Sequence, residues 1–385
     1  MMTGSTKTGA SALMMNARFL WFLVNATYQL LPLWLMYHLH AGWPIVITIA
    51  FFFGVIPFGD IVLGDSKSRL GSGGSDGFFL ALLYLQGALH LAVFVAVVAL
   101  AASGVVPWPG SLLAVVTIGM LNVQCPVVAH EFGHKLGRMN QQASNFACAI
   151  VGMGYFMPQH VLGHHVKVAT PEDCASARFG DSSYEFIVKS FPAELYGGAT
   201  LEAQRLRRRG LPVWSWHNNV LVSYLMSLAI AAVLIAWLGW AALPWIMVHH
   251  VAAWFTLMLN DYLQHYGLLR ELLPNGRREP AGPAHSWNTD TPLCNLLVLN
   301  VQRHSHHHER PMVAYHELRD MPDTPRLPTG YFGMMVVALI PPLWFRLMDR
   351  RLVAAVAGRR ERVNLGRHGH RRLERLLSEH RAATA

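Results

Sequence analysis

The sequence predicts an all-α integral membrane protein, with six transmembrane helices and a cytoplasmic cap that carries histidine clusters. Three observations lead there. The 385 residues are 53% apolar and only 14% charged, against about a quarter charged in soluble domains. The deficit is concentrated: no Asp, Glu, Lys or Arg stands between Arg18 and Asp60, between Asp76 and Glu131, or between Arg209 and Asp261. Finally, many of the 21 histidines gather in clusters beside these blocks.

A helix crossing the bilayer core needs roughly 20 apolar residues. Each charge-free block is about twice that length and breaks near its middle, at 39–43, 103–110 and 238–243. Three helical hairpins follow, with helices near 19–37, 42–58, 78–102, 112–129, 217–238 and 241–262. The runs are continuous and rich in Leu, Ala and Val, whereas membrane strands alternate over short segments. Residues 19–37 are long for a signal-peptide core and lack a small-residue cleavage site, so they read as a retained first helix. Two further apolar stretches, 146–157 and 331–345, are too short to span. The first is expected to dip into the membrane or pack beneath the bundle. The second, broken by Pro341 and Pro342, is expected to be interfacial or re-entrant.

Charge sets the orientation. The three hairpin tips hold no Lys or Arg, while the opposite loops hold Lys67, Arg69, Arg205, Arg207, Arg208 and Arg209. The positive-inside tendency places 130–216 and 263–385 in the cytoplasm, within a single domain spanning 1–385. The basic C-terminal tail, 346–385, holds eleven arginines and four acids. It reads as a solvated linker, a lipid-facing segment or a dock for an acidic partner. The four cysteines, Cys125, Cys148, Cys174 and Cys294, form no C-x-x-C pair. An iron–thiolate site of the rubredoxin type is excluded, and a disulfide framework is not expected in a cytoplasm-facing protein.

The histidines carry the chemistry. His130 and His134 stand four apart at the end of the fourth helix, so both rings share one face. His160, His164 and His165 form a second cluster, and His304, His306, His307 and His308 a third. His265 follows the sixth helix. Every cluster falls on the cytoplasmic side. One such pair is often structural, but several clusters at ligand spacing on one side point to metal. Imidazole suits iron, copper, nickel and zinc. Taking two, three and three ligands from the clusters, with His265, gives nine rings, too many for one ion and enough for two ions of four or five nitrogens each. His130-Glu131-Phe132-Gly133-His134 also matches H-E-x-x-H, the zinc-protease motif with Glu as general base. A catalytic zinc uses three protein ligands, which leaves the other clusters unexplained.

Longer stretches carry a family likeness: HEFGHK at 130–135, GHH at 163–165, VATPED at 168–173, ASAR at 175–178, YLQHYG at 262–267 and QRHSHHH at 302–308. In these the chain resembles the bacterial membrane alkane hydroxylases (alkane 1-monooxygenases), within the superfamily of membrane fatty-acid desaturases and hydroxylases. The Tyr-x-x-His-Tyr-Gly element separates the hydroxylases from desaturases. The resemblance implies two iron ions bound by His130, His134, His160, His164, His165, His265, His304, His307 and His308, with His306 facing away. It implies O2-dependent terminal hydroxylation of medium- to long-chain n-alkanes to 1-alkanols, in a bacterial inner membrane. Electrons would come from rubredoxin, itself reduced by a NADH-dependent rubredoxin reductase. A fatty-acyl desaturase or hydroxylase using the same irons is the alternative. The chain departs from the family pattern at Gln159, usually Glu, at Asp261, usually Asn, and at His306, usually Asp.

An unactivated alkane offers nothing to protonate or attack, so a metal must do the hard step. Glu131, Gln159, Glu172, Asp173 and Asp261 are candidates to accept ring N–H groups and orient the ligands; Asp60, Asp65 and Asp181 are further ones. Phe51, Phe52 and Phe53 are candidates to line a substrate channel and set chain length. His90, His249 and His250, within the third and sixth helices, are candidates for that channel or for bonds between helices.

Overall fold

The computed structural model describes residues 20–66 and 76–384. Phe19, Lys67 and Arg69 lie outside the described residues. Among the described residues the protein is helical, with isolated bridge pairs and no strand. The first predicted helix is divided into Leu20–Leu23, Val24–Tyr28 and Leu30–Leu39 (α1). Pro32 has no N–H to bond back into the preceding turn.

Among the described residues five helices are long and apolar enough to cross a membrane. They are α2 (Ile45–Leu63), α3 (Asp76–Ala102) and α4 (Trp108–Gly133), and, after α5 (Arg138–Ile150) and α6 (Ser183–Arg208), α7 (Asn219–Leu238) and α8 (Ala242–His265). α4 and α8 run further than expected. His130 lies inside α4 and His134 caps its end, while His265 is the last residue of α8 rather than a residue beyond it. α4 and α8 pack closely because Gly119 has no side chain. A Cβ there would stand 2.5 Å from the His249 carbonyl oxygen, the small-residue contact usual between membrane helices.

The polar residues of the bundle's interior bond to one another. His90 Nδ1–H donates to Asn122 Oδ1 (2.7 Å), and Asn122 Nδ2 donates to His249 Nε2 (2.9 Å). His249 Nδ1 meets His250 Nδ1 at 3.2 Å. Three helices are tied through Asn122, which sits at a one-turn break in α4.

The amphipathic α5 lies beneath the bundle, where Ser144 Oγ donates to the Ala129 carbonyl at 2.7 Å. Past α9 (His304–Glu309), the short α10 (Tyr331–Ala338) and α11 (Pro341–Ala355) are bent by 119° at the two prolines. The basic tail is not a solvated linker. α11 and α12 (His370–Thr384) bury Leu352, Leu373, Leu376 and Leu377. Between them the backbone threads into the cap: Phe179 N–H donates to Asn364 O (2.6 Å) and Asn364 N–H to Gly267 O (2.9 Å).

Candidate metal centre

The nine implied ligands gather into two adjoining groups. His130, His134, His160, His165 and His307 form one, and His164, His265, His304 and His308 the other; within each, the ligand nitrogens lie within 4.8 Å of one another. His306 belongs to neither, and its Nδ1 accepts from the Arg319 N–H at 3.2 Å.

Local helix geometry does the sorting. His130 and His134 are four apart on α4, and His304 and His308 four apart on α9, so each pair shares a face. The cluster at 160–165 works differently. Residues His160–His164 form a π-helical turn, in which the His165 N–H bonds the His160 carbonyl. A five-residue repeat puts His160 and His165 on one side, with their Nε2 atoms 2.9 Å apart. His164 is thereby turned to the other group, 3.3 Å from His308 Nε2. Such turns recur at functional sites.

The rings meet nitrogen to nitrogen. Nε2 of His130 is 2.9 Å from that of His307, and His307 is 3.0 Å from His165. In the second group, His265 and His304 approach to 3.1 Å and His304 and His308 to 3.0 Å. Metal–imidazole bonds of about 2.0–2.1 Å at right angles would hold neighbouring nitrogens about 3 Å apart. Ring nitrogens brought from several elements onto two points fit cations.

Burial keeps these rings neutral and able to bind. With neighbouring rings adding to it, burial holds His160, His304, His307 and His308 well below the usual histidine range. His134 is pushed down to about 3 and His165 to about 2. His164 is the exception. Burial again lowers it, but the charge and hydrogen bond of Asp173 outweigh burial and raise it. Asp173 shifts the other way: burial raises it, and His164 with Ser176 brings it below the ordinary carboxylate range.

The candidate orienting residues divide. Asp173 Oδ2 accepts from His164 Nδ1 at 2.9 Å, fixing the tautomer that turns Nε2 inward. Glu131 Oε1 is 3.4 Å from His130 Nδ1, while Oε2 accepts from the Tyr315 N–H at 3.0 Å. That carboxylate is committed to the fold and does not match the free general base a zinc protease needs. Glu172 is exposed, on the solvent side of the cap. Gln159 and Asp261 line one small cavity with His160 and His164. The two departures from the family pattern thus face the same space. Glu194 of α6 lines it too, only 3% exposed. Sequence reasoning missed Glu194. Its signal is a buried stripe of mostly small or polar residues every four positions, Phe186, Ser190, Glu194, Gly198 and Glu202.

Asp60 caps a different element, accepting from the Leu293 and Cys294 N–H groups. Of the three phenylalanines, Phe52 is fully buried and Phe51 stacks on Tyr28 with centroids 4.2 Å apart. Only Phe53 lines the apolar cavity above the histidines, with Met120, Val127, Asn260, Phe332 and Met335.

Residues 106–338 match the fatty acid desaturase family model. Alkane 1-monooxygenase 1 of Alcanivorax borkumensis is 36% identical over 320 residues, covering 81% of this chain and 79% of that one. The chain belongs to the alkane 1-monooxygenases of the fatty acid desaturase family. The alkane 1-monooxygenase of Ectopseudomonas oleovorans is 32% identical over 358 residues, 90% of this chain and 88% of its own. Alkane 1-monooxygenase 1 of Pseudomonas aeruginosa is 40% identical over 253 residues, 65% and 66% respectively. As a member of this family the protein is a multi-pass membrane enzyme of the monooxygenase type, with a histidine-rich metal site.

Proposed function

We propose that the protein hydroxylates the terminal carbon of medium- to long-chain n-alkanes at two irons, with reduced rubredoxin as donor. The observation that carries this reading is the division of nine rings into groups of five and four. When bound, iron supplies the reduction of dioxygen that an unactivated C–H bond demands. The protein's part is to orient and exclude. His164, held by Asp173, and His130, beside Glu131, present fixed tautomers to the centre. The apolar cavity reaches Val127, one turn from His130, and Val301, three residues from His304, so a chain entering from the bilayer would end at the rings. Its open space is only about 20 Å³, so Phe53, Phe332 and the methionines must move for a substrate to enter.

The histidine end of the bundle is read as facing the cytoplasm of a bacterial inner membrane. On that face a cleft of about 510 Å³ has Asp173, the partner of His164, in its lining, with Arg178, Lys189, Arg367 and His368 around it. The lining also carries Glu172, Asp181 and Glu185, with Lys189 paired to Asp181 and His368 to Glu185, which leaves Arg178 and Arg367 as the cations for an acidic donor such as rubredoxin. The test supplies octane to dodecane, rubredoxin, its reductase and NADH to iron-loaded protein and analyses products by gas chromatography. A 1-alkanol from protein holding two irons per chain supports the reading. Iron-loaded protein that forms no alkanol overturns it. Donor turnover indifferent to salt and to Arg178→Glu and Arg367→Glu removes the docking site.

A further inference from the structure

Inserting one oxygen atom into a C–H bond consumes O2, two electrons and two protons, and yields the alcohol and one water. The electrons come from the donor protein. The protons must come from solvent, and the rings are buried. A proton carrier has to reach them.

The small cavity beside the rings supplies the place. It is lined by Gln159, His160, His164, Ala175, Glu194 and Asp261 and holds about 10 Å³, the space of a single water. Glu194 Oε1, Gln159 Oε1 and the nearby Tyr155 hydroxyl are buried with no hydrogen-bond partner among the described residues. Buried polar atoms of that kind are ordinarily bridged by water.

The solvent side lies one turn away. Ser190, one turn before Glu194 on the same face of α6, lines the 510 Å³ cleft together with Asp173 and Cys174. Cys174 stands on the cleft and the next residue, Ala175, on the cavity. A thin wall thus separates bulk water from the space beside His160 and His164.

Two cap acids border this wall, and their free valences decide between them. Asp173 already accepts from His164, Ser176 and the Ala175 N–H. Glu194 keeps an oxygen free. Burial, then the charges of Asp261 and Asp173, push its carboxyl well up, which favours the protonated form. The other titratable groups around it are His160, His164, Cys174 and Tyr155.

We propose that Glu194 is the proton carrier of this centre, taking protons from water in the Ser190 cleft and handing them through the small cavity toward the metal site. This rests on the monooxygenase reading above. Each turnover passes two protons through the carboxyl, which is reprotonated from the cleft each time and ends unchanged.

The test uses the full-length, iron-loaded protein with Glu194→Gln and Glu194→Asp. We expect unchanged iron content in both and alkane hydroxylation reduced about 10²-fold in the glutamine variant, less in the aspartate one. More O2 should be consumed per alcohol, with hydrogen peroxide released. Infrared spectra of metal-free protein should show the C=O stretch of a protonated carboxyl, shifted in D2O and absent from Glu194→Gln. Wild-type rate and wild-type O2 per alcohol in Glu194→Gln would overturn the proposal. So would loss of iron from both variants, since Glu194 would then hold the site together rather than feed it. A wild-type protein that forms no alcohol instead overturns the functional reading, and the infrared band separates the two failures.

Discussion

The protein buries two histidine clusters, and they differ in what lies between the rings. Inside the bundle, Asn122 stands between the rings of His90 and His249, accepting from the first and donating to the second. Donor meets acceptor along the line, so the cluster can be complete without an ion. At the end of the bundle nine rings meet Nε2 to Nε2, with no amide between them. That convergence suits a cation. The number of histidines does not identify a metal site; the polarity of the atoms between them does.

The largest effect expected is from removing a ligand. His265→Ala or His307→Ala should lower iron content and reduce hydroxylation by at least about 10²-fold, more than the loss usual for an orienting residue. Iron analysis beside product formation checks it. Asp173→Asn leaves every ring in place but weakens the hold on the His164 tautomer. A loss of about 10–100-fold in iron affinity or activity should follow, measured by titration against a chelator. Asn122→Ala should do the opposite. It breaks the interior line, costs about 1–2 kcal/mol of stability in the membrane, and leaves iron content alone. If Asn122→Ala strips iron, the contrast between the clusters fails. The smallest effect is expected of His306→Ala: unchanged iron content and a stability change within about 0.5 kcal/mol.

Much of this was legible in the sequence, because charge and length decide which segments enter a bilayer. The spans from α2 to α8 follow from blocks without charge. The ligand candidates follow from spacing and family motifs. What was not legible depends on backbone geometry that spacing does not reveal. A four-residue rule would pair His160 with His164, yet the π-helical turn pairs His160 with His165. Glu194 lies far along the chain from any ligand, and only packing brings α6 against the rings. Gln159 and Asp261 are separated by more than a hundred residues and read as independent departures. Across one cavity they read as an exchange of amide and acid.

The threading of Asn364 between Phe179 and Gly267 has a consequence for biosynthesis. Tyr266, beside the ligand His265, also bonds Asp349 at 2.8 Å. The segment carrying His265 is therefore clamped by residues that leave the ribosome about a hundred residues after it. All nine ligands are translated before their scaffold is closed. We expect metal loading to come late in maturation: a chain stalled before Asp349 should insert its helices yet hold iron weakly. Iron retention by chains released at 340 and at 384, compared after pulse labelling, would time that step.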